Sequence, residues 1–421
     1  MTVSDTEFTT EPVPQERTVP WWRVGVISAM VAFSLPTFIT GLEVSRVLPG
    51  RQVPLALVGG SLLLAFIASV CGSIGARTRL SSYMLVRVAF GTRGAALVNV
   101  AFALSLLGWF GVNIDLFSGA VLRLAAESFD ATLPVWLIEL AAGAVMTVTT
   151  IYGFRAINTL SLVLVPVLMV VTAVLIARAL DVMRLQEILA TGVPASFTLG
   201  DSMSSVVGGV IVGAVIMPDV TRFIRHWRGA IYTAVLAYLV VGVIVMSAGA
   251  MAGIALAGDE LLEIMLLTGL GWGAFAIVIA GSWVLNSLNL YSTMLSVEAT
   301  WPGLNNRLLV LALGALGTVA AFLNILDVFL TFLFYLAIVF VPVAGVITVD
   351  YLVTRRRAYH ADRLALEAEV RPLAVGAWMV GAAVALAGAE GVVALSGVAA
   401  LDAMLVAALA YGVLSRMAGH A

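Results

Sequence analysis

Lysine is absent from the chain, so all 22 basic residues are arginine. A phosphate-binding loop of the G-x-x-x-x-G-K type is thereby excluded, and with it ATP-driven transport by this chain alone. The one cysteine, Cys71, rules out a disulfide framework and any multi-cysteine metal site. The three histidines, His226, His360 and His420, lie beside basic or terminal segments and read as loop residues rather than metal ligands. Charge is scarce, at 11% of 421 residues, and no paired carboxylates or histidine and cysteine constellation suggest an enzyme's active site. The expectation is a non-enzyme with no cofactor and no nucleic-acid partner.

What the chain has in abundance is apolar surface, with 62% hydrophobic residues and a mean hydropathy of +1.08. A soluble globule of this composition would expose far more contiguous apolar area than solubility allows. It reads as an all-α integral membrane protein surrounded by lipid. About 20 apolar residues span the hydrocarbon core as a helix. Apolar runs bounded by charges or turn residues predict twelve spans, near 23–48, 53–76, 95–125, 134–152, 157–178, 200–220, 230–256, 270–299, 307–324, 327–353, 373–394 and 396–416. The first 22 residues carry acids and prolines where a secretory signal needs a basic start and an apolar core, so 1–22 reads as a retained, disordered cytoplasmic tail. With the N-terminus inside, 17 of the 22 arginines fall in cytoplasmic segments and five outside, at Arg46, Arg51, Arg123, Arg178 and Arg184. The positive-inside rule then puts both termini in the cytoplasm of a multi-pass inner-membrane protein.

Two spans are interrupted. The first contains "FSLPTFITG" at 33–41, beginning at Phe33, where Pro36 removes a backbone donor; the sixth contains "VVGGVIVGAVIMPD" at 206–219, with Gly208, Gly209, Gly213 and Pro218. A helix broken at membrane depth leaves backbone groups that lipid cannot satisfy, and it is tolerated where it lines a protein cavity. Breaks at matching places five spans apart point to an inverted-repeat transporter with its site at the midplane.

Polar residues inside the spans mark candidate ligands of that site. In the eighth span Ser282, Asn286, Asn289, Thr293 and Ser296 recur at steps of four, three, four and three, which is one helix face. Such a stripe either glues helices together or lines a cavity whose carboxamides serve a planar heterocycle. In the third span Trp109 and Asn113 share a face, and Trp109 could offer a flat surface to a flat ligand or simply pack between helices. Asp115 points about 120° away from Trp109 and lies about 9 Å further outward. In this medium it needs a proton or a partner. Glu43 and Arg46, one turn apart in the outer half of the first span, lie at a similar depth. The expectation is a Glu43, Arg46 and Asp115 cluster in the outer vestibule, a candidate site for a coupling ion.

The stretches "PVPQ" (12–15), "GARTRLSS" (75–82), "FGTRG" (90–94), "GWFGV" (108–112), "YGFRAINTLS" (152–161), "PDVTRF" (218–223) and "VDYLVTRRRAYH" (349–360) carry a resemblance. In their order and spacing the chain resembles the bacterial cytosine permeases of the nucleobase-cation-symport-1 family over nearly its whole length. The resemblance implies a fold like that of the sodium-coupled amino-acid symporters, with a 5+5 inverted repeat (23–178 and 200–353), two extra helices (373–416) and alternating access to a central site. It implies a permease importing a small heterocycle of the nucleobase class, coupled to a proton or to Na+.

Carried over by position, the resemblance puts Trp109 where relatives stack an aromatic on the base and Asn286 where an asparagine hydrogen-bonds it. Phe33, Asn113, Gly209, Val210 and Asn289 complete the substrate-binding candidates. The departures make the pocket less polar. A glutamine of the relatives is Leu106 here, an asparagine is Gly281, and their Ser-Phe-x-Ser in the sixth span reads Gly209, Val210 and Val212. Where sodium-using relatives have adjacent hydroxyls in the eighth span, this chain has Val284 and Leu285, whereas Asp115 and Asn113 stand where close relatives have small residues. These differences favour a substrate other than cytosine and a proton over sodium. The alternatives are a permease for a non-nucleobase heterocycle and a transporter-like membrane sensor that binds without transport.

Overall fold

The computed structural model describes the backbone at 12–151, 154–256, 260–301, 303–354, 359, 369–393 and 395–418, with the side chains of these residues except at 30, 31, 154–165 and 299. Residues 1–11 of the expected tail, Arg355 to Arg357, Arg363, His360 and His420 lie outside the described residues.

Among the described residues the regular structure is helical. Its helices are α1 (Trp21–Ala32), α2 (Leu35–Val47), α3 (Val53–Thr78), α4 (Ser82–Phe90), α5 (Thr92–Phe129), α6 (Val135–Ile151), α7 (Phe154–Val182), α8 (Leu185–Ala190) and α9 (Leu199–Val215). There follow α10 (Pro218–Thr221), α11 (Trp227–Ala234), α12 (Gly242–Leu256), α13 (Leu261–Leu267), α14 (Trp272–Thr300), α15 (Asn306–Ala321), α16 (Phe329–Val349), α17 (Pro372–Ala389) and α18 (Ala399–Met417). No strand occurs among the described residues; the only β-type contact there is the Val19 and Ile224 bridge. Eight helices among the described residues are long and apolar enough to cross a membrane, and the apolar α6 and α15 are shorter.

The chain leaves helical geometry where proline and glycine disturb it. Between α1 and α2, Phe33 and Ser34 are non-helical, and Pro36 sits in the first turn of α2, where its missing N–H costs nothing. The hydroxyls of Ser34 and Thr37 bond at 2.9 Å and stiffen the restart. In α9, Val210 leaves helical dihedrals (φ −137°, ψ 16°) just after Gly208 and Gly209. Close packing holds both places. A Cβ at Gly41 would collide with the Met246 carbonyl of α12, so α2 and α12 touch backbone to backbone.

Part of the expected tail is ordered. Val13 is buried, and its N–H donates to the Arg79 carbonyl at 3.2 Å. The Val19 N–H donates to Phe223 O at 2.7 Å, and the Arg225 N–H returns to Val19 O at 3.0 Å. Disorder was expected from the acids and prolines around them, but Val13 and Val19 supply apolar anchors, and the backbone satisfies its polar groups on the 223–225 segment. At the same end, Asp219 accepts from the N–H and the hydroxyl of Ser82, both at 2.8 Å, tying α10 to the start of α4.

Candidate functional site

α2 and α9, which follow and contain the two interruptions, pack against each other. Gly209 lies between Thr40 of α2 and Leu333 of α16, with 3.5 Å from its Cβ position to each. Gly281 of α14 faces Leu35, the first residue of α2, at 3.3 Å. The start of α2 thus lies against α14, and its middle against α9, while the Ser34 carbonyl accepts from the Thr37 N–H at 3.0 Å. Phe33 itself is half-buried at the end of α1.

Trp109 of α5 closes this region from another side. It is 7% exposed and meets Phe329 and Phe332 of α16 edge to face, with ring centroids at 5.9 and 5.6 Å. This geometry suits ring quadrupoles and holds the indole against α16. Sequence reasoning missed Phe329 and Phe332. They sit in "FLTFLFYLAIVF", where aromatic residues look like any other lipid-facing or core residue, and no local signal separates them.

The polar stripe of α14 runs along α5. Ser296 Oγ donates to Asn99 O at 2.7 Å, and Thr293 Oγ1 donates to Asn289 O within its own helix. Fully buried Asn286 donates from Nδ2 to Phe110 O at 2.9 Å, one residue beyond Trp109, and to Met146 Sδ of α6 at 3.1 Å. Helix gluing is thus part of what the stripe does. Capacity remains, because Asn286 Oδ1 and Ser282 Oγ are buried without a hydrogen-bond partner. Asn289 is only half-buried. Asn113 repeats the pattern on α5: Nδ2 donates to Trp109 O at 2.7 Å while the buried Oδ1 has no partner. On α14, the glycine Gly281 is what stands against Leu35, and Val284 is buried, so these positions offer apolar atoms where a hard cation would want oxygens.

The expected Glu43, Arg46 and Asp115 cluster does not form. Glu43 and Arg46 pair with each other at 2.6 Å. Asp115 instead feels the charges of Glu139 in α6 and Asp327 ahead of α16, and neither of its buried carboxylate oxygens has a hydrogen-bond partner. The reason is rotational, since the α5 face carrying Asp115 turns toward α6, away from α2. Among the described residues no group of three His, Cys, Asp or Glu is placed to hold a metal ion.

The fold and the sequence match known transporters. A family model described as permease for cytosine/purines, uracil, thiamine and allantoin matches residues 12–414. A cytosine permease of Escherichia coli O157:H7 is 30% identical over 412 residues, covering 98% of this chain and 94% of the relative. The fold is that of Mhp1. The inward-facing form superposes with a TM-score of 0.85 at 19% identity, covering 97% of this chain and 93% of that one. The closed form, a nucleobase-cation-symport-1 family transporter with bromovinylhydantoin bound, gives 0.82 at 20% identity over 96% and 94%. A Na+-coupled sialic acid symporter in a substrate-bound outward-open state aligns more distantly, at 0.64 and 12% identity over 95% and 90%. The protein is a multi-pass membrane transporter, and the chain belongs to the family of permeases for cytosine/purines, uracil, thiamine and allantoin.

Proposed function

We propose that this permease imports a small planar heterocycle across the inner membrane by alternating access, with twelve spans and both termini in the cytoplasm. In this reading residues 23–178 and 200–353 form two inverted repeats, and α17 and α18 are additions. The observation that carries it is the packing of α2 against α9 at Thr40 and Gly209 and against α14 at Leu35 and Gly281, next in the chain to the non-helical residues Phe33 and Val210, with Trp109 held against the aromatic residues of α16. Trp109 stacks on the substrate ring, and the unpartnered carboxamide oxygens of Asn286 and Asn113 are free to accept from ring N–H groups once helices shift. Phe33, Gly209, Val210 and Asn289 complete the lining.

Cytosine is not the favoured substrate. Leu106, Gly209, Val210, Val212 and Gly281 supply no hydrogen-bonding side chain, so a base with many exposed polar edges would leave some of them unpaired, at a cost of about 1–3 kcal/mol each. A heterocycle that carries an apolar substituent is expected, and the bromovinylhydantoin bound to Mhp1 supports that second reading within the same class. Melting curves of the purified protein with a panel of purines, pyrimidines and hydantoins check this. Stabilisation by a hydantoin or a substituted purine at concentrations where cytosine has no effect is expected; tight and selective cytosine binding contradicts it.

The coupling ion in this reading is a proton carried by Asp115, whose two buried oxygens lack the hydrogen bonds that a permanent structural carboxylate would have. The sodium alternative rests on the family's cation coupling and on the carbonyls at the α1 and α2 junction. In proteoliposomes, an inward proton gradient is expected to drive accumulation in the wild-type protein, and Asp115→Asn is expected to cut that accumulation tenfold or more while leaving exchange of substrate intact. Sodium-driven accumulation that ignores pH and survives Asp115→Asn removes Asp115 from coupling.

A further inference from the structure

Away from the central site, a cavity of about 580 Å³ opens where α1 and α11 begin. Trp21, Arg225, His226, Trp227, Arg228 and Tyr232 line it. The two backbone hydrogen bonds between Val19 and the 223–225 segment hold its floor, and Trp21 packs edge-on against Tyr232 with centroids 5.6 Å apart. The Arg77 guanidinium of α3 lies 4.0 Å over the Trp227 ring, and that of Arg228 lies 5.7 Å from the same ring. No carboxylate is in the lining, and Arg225, His226 and Arg228 make no ion pair among the described residues. Among the described residues the cavity therefore gathers two arginines with no carboxylate in its lining.

Its second half is apolar. Trp21, Trp22, Trp227 and Tyr232 are exposed, and so are Val26 and Ile27 one turn deeper along α1. Tryptophan and tyrosine with arginine at the start of a span are the residues that lie at the headgroup level of a bilayer. Basic pockets between helices at that level take anionic headgroups. Inorganic phosphate would use the cations alone; a phospholipid uses the cations and the apolar flank together. We propose that this cavity binds an anionic phospholipid, its headgroup phosphate held by Arg225 and Arg228 and its acyl chains lying along the exposed side chains of α1.

The test measures the melting temperature of the detergent-purified full-length protein during titration with phosphatidylglycerol, phosphatidylcholine or inorganic phosphate. Phosphatidylglycerol is expected to stabilise the wild-type protein, with the other two much weaker. At roughly fivefold per arginine near the surface, Arg225→Gln and Arg228→Gln should each weaken the phosphatidylglycerol effect about fivefold, and the double variant about 25-fold. The single variants keep the test alive if the double variant fails to fold. Arg307→Gln, an exposed arginine at the start of α15, should leave the titration unchanged. Equal stabilisation by phosphatidylcholine, an effect of inorganic phosphate matching that of the lipid, or unaltered titrations in the arginine variants would each overturn the proposal.

Discussion

Trp109→Ala is expected to abolish the ligand-induced rise in melting temperature and to stop uptake, in a protein that still inserts and purifies. Stacking of a heterocycle on an aromatic side chain contributes about 1–3 kcal/mol, which corresponds to a loss of affinity of about fivefold to 150-fold. The alanine also opens a hole beside Phe329 and Phe332, and deletion of a buried aromatic costs about 3–5 kcal/mol of stability. Trp109→Phe separates the two effects, because it keeps a ring in place. It should recover much of the stability and a measurable part of the affinity. Unchanged affinity in Trp109→Ala would take Trp109 out of the substrate site and leave it as packing.

Gly208→Val is expected to force α9 away from α16. A Cβ at Gly208 would fall on the carbonyl oxygen of Leu333, so α9 and α16 meet backbone to backbone at this point. Overpacking of a flexible core costs about 1–3 kcal/mol. Here neither neighbour can change rotamer, and relief requires α9 to move off α16, taking the adjacent Gly209 and Val210 with it. The expected result is aggregation on gel filtration or, in any protein recovered, loss of ligand binding. Gly192→Val, in a connecting segment with open space around it, is the control and should behave as wild type. A Gly208→Val protein with normal melting and normal transport would show that the α9 and α16 contact is not needed.

How much of this was legible in the sequence depended on how local the cause was. Apolar runs ended near the observed helix ends, as for α3 at Val53–Thr78 against an expected 53–76. Pro36 and the Gly208 and Gly209 pair disturb their own turns, so the non-helical residues at 33–34 and 210 lie close to them in the chain. The neighbours of Asp115 were not legible. Depth along a helix follows from counting residues, but the rotation of α5 against α2 and α6 is a property of the assembled bundle, and it sets Asp115 toward Glu139 rather than Arg46. The packing of Val13 and Val19 escaped notice for the same reason, since their partners, Arg79, Phe223 and Arg225, are distant in sequence. The polar stripe of α14 was visible as a stripe, yet only the structure divides it into groups bonded to α5, such as Ser296, and groups left unpaired, such as Asn286 Oδ1.

The most direct measurement is counterflow in proteoliposomes preloaded with an unlabelled heterocycle identified by the melting panel. The wild-type protein should draw the labelled compound inward transiently above its outside concentration, Trp109→Phe should do so weakly, and Trp109→Ala should show none. Ligand-induced stabilisation of the wild-type protein without any counterflow would contradict the account, because it would describe a membrane sensor that binds its ligand and does not carry it.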